Sequence, residues 1–134
     1  MIISSIRSSM NLSSFPFFTD KLSIILSTES FLRNKISGAP VLNEKDELVG
    51  VLSEKDCMKT LIEYSYYNNL GGLVEEYMST NLETINVHDT LSDVADKFMQ
   101  SRFRRFPVLD GNKLVGQVSR RDILRAVFKL SHED

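Results

Sequence analysis

Leu48-Val49-Gly50-Val51-Leu52-Ser53-Glu54-Lys55-Asp56 and Leu114-Val115-Gly116-Gln117-Val118-Ser119-Arg120-Arg121-Asp122 are two copies of one pattern. Each is an apolar run of strand length that closes on Gly-x-x-Ser-x-x-Asp. Just upstream, Ser37-Gly38-Ala39-Pro40-Val41-Leu42 answers to Arg104-Arg105-Phe106-Pro107-Val108-Leu109. The proline recurs after 67 residues and the Gly, Ser and Asp after 66. The lost residue falls in the connection, Asn43–Glu47 in one copy and Asp110–Lys113 in the other. Turns are where a repeat tolerates a change of length.

The earlier part of each copy aligns more weakly. Phe15-Pro16-Phe17-Phe18 falls on Leu82-Glu83-Thr84-Ile85, and Ile24, Thr28, Leu32 and Ile36 fall on Leu91, Ala95, Met99 and Phe103. That four-residue spacing predicts one stripe of a helix in each copy. Asp20 is expected to cap the first helix, and Asp89 or Thr90 the second. Asp110-Gly111 supplies the positive φ of a tight hairpin. The last helices are expected to start at Ser53, with Cys57, Met58, Leu61 and Ile62, and at Ser119, with Ile123, Leu124, Val127 and Phe128. Glu63 to Gly72 contains Asn-Asn and Gly-Gly and marks a break. Leu73 to Met78 is expected to be a helical turn opening the second half.

The expected class is therefore α/β, with two β-α-β-β-α repeats related by a pseudo-twofold axis. The expected divisions are a lead-in (1–13), a first repeat (14–70), a second repeat (71–130) and a short tail (131–134). Halves of about 60 residues bury small cores, so they are expected to pack on each other. Leftover apolar helix surface suggests a homodimer.

Composition narrows the function classes. The chain has 134 residues, 42% hydrophobic and 25% charged, with net charge −2. It contains no run of about 18 apolar residues, so no spanning helix is expected. Met1 to Ser14 has Arg7 as its only charge and lacks the apolar core of a signal peptide. A cytoplasmic protein is expected. Cys57 is the only cysteine, which excludes an internal disulfide and a cysteine-based zinc site. Arginines 102, 104, 105, 120, 121 and 125 would form a nucleic-acid patch on one reading; a solvated face with one phosphate site fits the net charge better. His88 and His132 suggest no metal or base. Cys57 is read as a small buried residue, and Tyr64, Tyr66 and Tyr67 as buried at the junction or facing a partner.

Gly-x-x-Ser-x-x-Asp at a strand-to-helix junction has two readings. One is a capping box with Asp in place of Glu. The other is a ligand site. A helix start offers unpaired N–H groups and the positive end of the dipole to phosphate, and an aspartate accepts hydrogen bonds from a vicinal diol such as a ribose. The ordered duplication favours more than capping. On these residues, over about 14–130, the sequence resembles the CBS domain in its tandem form, the Bateman module.

That resemblance implies two clefts that take adenosine nucleotides (AMP, ADP or ATP), each drawing on both repeats. The main site would set Ser119 and Asp122 opposite Phe17, Leu22, Ile36, Ser37 and Gly38. The weaker site would set Ser53 and Asp56 opposite Thr84, Asp89 and Phe103, with Arg104 and Arg105 following in sequence. Arg104-Arg105 falls where the gamma subunit of AMP-activated protein kinase carries a His-Arg pair near phosphate. With Arg120 and Arg121 at the same helix start, these arginines enrich the Ser119 end in positive charge; Glu54-Lys55 and Ser37-Gly38 stand at the sister junction. Phe17 stands where Thr is frequent, as at Thr84; its ring either stacks on adenine or fills the cleft. A plugged cleft with an internally bonded Asp122 would argue against binding.

The function expected from the resemblance is a regulatory nucleotide sensor that acts on a protein partner through shape or dimer geometry. No required cofactor, no membrane contact and no nucleic acid are expected. The alternative is a constitutive adaptor with vestigial clefts. No nucleophile–base pair and no G-x-x-x-x-G-K loop point to an enzyme.

Overall fold

The computed structural model describes residues 17–132. The expected lead-in (1–13) lies outside them, as do the last two residues of the expected tail. The described chain forms two compact units, one ending at Leu82 and one beginning at Glu83.

The first unit contains β1 (Phe18–Thr19), α1 (Ile24–Asn34), β2 (Gly38–Leu42), β3 (Leu48–Ser53), α2 (Glu54–Tyr67) and the short turn α3 (Val74–Tyr77). Its sheet has the order β1-β2-β3. β1 runs parallel to β2 and β2 antiparallel to β3. The second unit repeats the plan with β4 (Ile85–Asn86), α4 (Leu91–Gln100), β5 (Arg105–Asp110), β6 (Lys113–Ser119) and α5 (Arg120–Ser131), in the order β4-β5-β6. Both antiparallel pairs carry a register shift at the same place, Val41/Leu42 and Val108/Leu109. The hairpin connections differ. Gly111 takes φ 63° in the two-residue loop after Asp110. In the longer loop, the Asn43 side-chain oxygen accepts from the N–H groups of Lys45 and Glu47, and Asp46 takes φ 60°.

Each unit has its own core. Phe18, Ile24, Phe31, Val41, Leu52, Val74 and Tyr77 are buried in the first; Ile85, Leu91, Val94, Phe98, Phe106, Val108 and Val118 in the second. An aromatic pair sits in each. Phe31 meets Phe18 edge-on at 5.2 Å between ring centroids, and its counterpart Phe98 meets Phe106 at 4.6 Å. The large partner comes from β1 in one unit and from β5 in the other, where the corresponding positions hold Ile85 and Ala39. Exchanging bulk between neighbouring strands keeps the core volume nearly constant.

The structure corrects two sequence expectations. The first helix is capped by Ser23, whose side chain accepts from the Ile25 N–H, and not by Asp20. Thr90 caps α4 by accepting from Asp93, while Asp89 accepts from the Asn86 N–H instead. The inward stripes are also not the four-residue series. Ile24, Ser27 and Phe31 are buried on α1, and Leu91, Val94 and Phe98 on α4; Leu32 and Met99 are 78% and 85% exposed. Steps of four residues each overshoot a helical turn, so a pure four-step series drifts off the buried face. Alternating steps of three and four stays on it.

The helical turn α3 packs in the first unit. Val74 donates to the Leu22 carbonyl, Ile24 to the Gly72 carbonyl and Ser79 to the Val51 carbonyl. Gly50 allows this approach: a Cβ there would lie 3.0 Å from the Ser79 carbonyl oxygen and 2.8 Å from Met78 Cγ. The Tyr77 hydroxyl donates to Glu63 at 2.6 Å, and it lies 2.9 Å from the Gly71 carbonyl oxygen. The hydrogen bond to Glu63, with burial, pushes the Tyr77 phenol up to about 12. Tyr64, Tyr66 and Tyr67, for which burial was one expectation, are exposed. No helix among the described residues is long and apolar enough to cross a membrane.

Two measurements check this packing. Phe31→Ala should cost about 3–5 kcal/mol in denaturant unfolding, while the adjacent Leu32→Ala should cost less than about 0.5 kcal/mol; equal losses would contradict the stripe. The raised Tyr77 phenol stabilises the fold in full below about pH 10, its ordinary range, and that contribution falls as pH rises toward about 12. Unfolding free energy should therefore decline over that window in the native chain and decline less in Tyr77→Phe.

Candidate functional site

The two junctions singled out in the sequence are built alike. β3 ends and α2 begins at Ser53; β6 ends and α5 begins at Ser119. The Ser53 Oγ accepts from the Asp56 N–H at 3.2 Å while Asp56 Oδ2 accepts from the Ser53 N–H at 2.9 Å. The second junction repeats both bonds, at 3.2 Å and 2.8 Å, between Ser119 and Asp122. These are complete capping boxes, so the first reading of the motif holds at both positions.

The remaining oxygen of each carboxylate is also engaged. Asp56 Oδ1 pairs with Lys59 at 2.9 Å, and Asp122 Oδ1 with Arg125 at 2.8 Å. Sequence reasoning missed this third member, although its signal was present: a basic residue three positions after each Asp, on the same helix face. Both aspartates are buried and both basic side chains are exposed, Lys59 by 52% and Arg125 by 61%. In each pair the base reaches in from solvent to a buried carboxylate, so displacing it would leave that carboxylate in need of another hydrogen-bond donor.

Strand register brings further expected residues to these junctions. Arg105 is the cross-strand partner of Ser119, and the Arg104 carbonyl accepts from the Arg120 N–H at 3.2 Å. Arg104, Arg105, Arg120 and Arg121 are all exposed. In the first unit, Gly38 pairs with Ser53 and the Ser37 carbonyl accepts from the Glu54 N–H at 3.1 Å. The corresponding side chains there are Ser37, Gly38, Glu54 and Lys55, so the two junctions share a backbone and differ in charge. A Cβ on Gly38 would meet only the Leu52 carbonyl at 3.5 Å, an ordinary contact.

The other expected residues are dispersed over both units. Phe17 is exposed by 49%. Leu22 and Ile36 are half-buried against the first core. The Thr84 carbonyl accepts from the Lys97 ammonium at 2.6 Å. Asp89 is committed to the Asn86 N–H at 2.9 Å. Phe103 is half-exposed, its ring edge-on to Phe106 at 6.1 Å. Phe17, Leu22, Ile36, Ser37, Gly38, Ser53 and Asp56 belong to the first unit. Thr84, Asp89, Phe103, the arginines, Ser119 and Asp122 belong to the second. Cys57 is buried, and burial pushes its thiol up, which keeps it protonated and unreactive.

The CBS domain model matches residues 25–63 and 74–129. Protein MJ1426 of Methanocaldococcus jannaschii is 33% identical, over 73% of this chain and 77% of that one. MJ1225 of the same organism is 27% identical over 72% of this chain, which spans only 34% of MJ1225. Among solved structures, CBSX2 of Arabidopsis thaliana in complex with AMP aligns with a TM-score of 0.81 at 23% identity, over 98% of each chain. The CBS domain pair of MJ0100, solved with 5′-methylthioadenosine and S-adenosyl-L-methionine, aligns with a TM-score of 0.69 at 26% identity, over 97% of this chain and 98% of that one. With two matched segments on two units of one plan, the chain belongs to the CBS-domain family, in the tandem form called a Bateman module.

Proposed function

We propose that this chain is a regulatory module that binds an adenosine nucleotide (AMP, ADP or ATP) without turning it over. The observation that carries the reading is the second junction. There a helix start, a serine hydroxyl and a buried aspartate stand beside four exposed arginines. Arg104, Arg105, Arg120 and Arg121 supply charge-assisted donors for phosphate, and the α5 start adds the favourable end of its dipole. Asp122 Oδ1 receives the ribose diol when Arg125 swings aside. Ser53 and Asp56 have the same backbone geometry but no arginine cluster, so that junction is the weaker one. The AMP held by CBSX2 and the adenosine ligands held by MJ0100 support the ligand class. Binding regulates a protein partner only through different affinities for two shapes of the module.

One observation favours a second reading, that of a constitutive adaptor. Every oxygen of Asp56 and Asp122 already has a partner within its own helix turn. The cost of displacing Arg125 decides between the two.

Calorimetry on protein freed of copurified ligand, titrated with AMP, ADP, ATP and S-adenosylmethionine, tests the proposal. Binding heat is expected with at least one nucleotide; silence with all four favours the adaptor. Asp122→Ala should weaken the bound nucleotide roughly ten- to a hundredfold, the effect of losing a charged hydrogen-bond acceptor worth ~1.5–3 kcal/mol. Asp56→Ala removes an equivalent cap and should leave that affinity nearly intact, which separates cap loss from ligand loss. Arg105→Ala should weaken AMP and ATP more than adenosine; equal weakening would remove its phosphate role.

A further inference from the structure

Gln117 on β6 carries a hydrogen-bonding group that the fold does not use. It lies two positions before Ser119, and its cross-strand partner is Pro107, as Arg105 is the partner of Ser119. Between these pairs stand Phe106 and Val118, which point into the core of the second unit. Side chains alternate along a strand, so Gln117, Ser119, Arg105 and Pro107 share the opposite face of the sheet. Gln117 is only 9% exposed, yet its side chain makes no hydrogen bond among the described residues. No side-chain nitrogen or oxygen among those residues is both sealed and unpartnered. The Gln117 amide therefore stays open at its tip, although the rest of the side chain is covered.

A buried amide left without a partner costs free energy. The sister position is Val51, paired with Pro40, so the same scaffold accepts an apolar residue there. The glutamine thus carries a cost that the sheet does not require. Its place fits the base of a nucleotide. Two residues along a strand span roughly 7 Å. That sets Gln117 about a ribose away from the helix start, where Ser119 and the arginines face phosphate. A carboxamide offers an acceptor and two donors in one plane. They match the N6 amino group and N7 of adenine in a two-bond pair. Guanine and hypoxanthine carry a 6-oxo group in place of the amino group, so the same edge shows two acceptors, and one of them is left facing the Gln117 carbonyl oxygen.

We propose that Gln117 reads the N6 and N7 edge of adenine and makes the Ser119 junction selective for adenosine nucleotides over 6-oxo purine nucleotides. This rests on the nucleotide-binding reading above and adds the source of base choice. Val51 gives the Ser53 junction no such group, so base selectivity belongs to the second junction alone.

Calorimetry with three matched pairs tests it: AMP and IMP, ADP and IDP, ATP and ITP. The native chain should favour the adenosine member of a pair roughly ten- to a hundredfold. Gln117→Val installs the sister residue, and Gln117→Met keeps the length without the amide. In both, the preference should fall to near parity, with the adenosine nucleotide the ligand that weakens. Free of ligand, both variants should unfold at the same denaturant concentration as the native chain or a higher one, because an unpaired amide has been removed. A clear loss of stability would show the amide bonded within the fold and overturn the proposal. Equal binding of both members by the native chain, or a preference that survives in both variants, would overturn the base assignment and leave the nucleotide reading standing. A native chain that binds no member of any pair would remove both.

Discussion

The reciprocal bonds between a serine and the aspartate three residues later are the constraint on which each unit depends. They stop a strand, start a helix, and fix where the helix N–H groups point. Because one carboxylate oxygen is spent on the serine N–H, the other is presented at the helix start. The residue three further on, Lys59 or Arg125, then closes over it. The same few atoms thus end the strand, cap the helix and hold the ion pair at its edge.

What distinguishes the two junctions is charge laid over a common backbone. Ser37-Gly38 and Arg104-Arg105 enter equivalent strands, hydrogen-bond to equivalent helix starts, and leave opposite chemical impressions at the surface. The same divergence recurs on the outward side of α2 and α5, where apolar residues are retained and Glu54 and Glu63 of one helix correspond to Arg120 and Lys129 of the other. Duplication supplied two copies of one scaffold, which differ in their exposed charges and also in their cores, where Phe18 and Ala39 answer to Ile85 and Phe106.

Much of this was legible in the sequence, because the signals were local. Gly-x-x-Ser-x-x-Asp marked both strand-to-helix junctions, and Asp110-Gly111 marked the tight hairpin. The inward stripes were harder to read. Leu32 and Met99 are as apolar as Phe31 and Phe98, and only packing against Phe18 and Phe106 decides which neighbour turns inward. Ser23 was overlooked as a cap because Asp20 is an equally good capping residue; the choice depends on Ile24 being pulled into the core beside Gly72. The partners of Asp56 and Asp122 required a helical register as well as a motif. The exposure of three tyrosines at the end of α2 reflects tertiary placement, to which their composition is indifferent.

The tie between Tyr77, Glu63 and Gly71 has a consequence for chain continuity. The stretch Asn68–Leu70 is exposed, yet the chain beyond it is held by Val74 and Tyr77 in the core and by paired backbone groups at Leu22 and Ile24. A protease cut at Asn69 would sever the covalent path without releasing the downstream piece. The nicked molecule would run as two fragments under denaturing conditions and as one particle under native ones. The loop after α2 is therefore a natural place at which to split this protein into complementing parts.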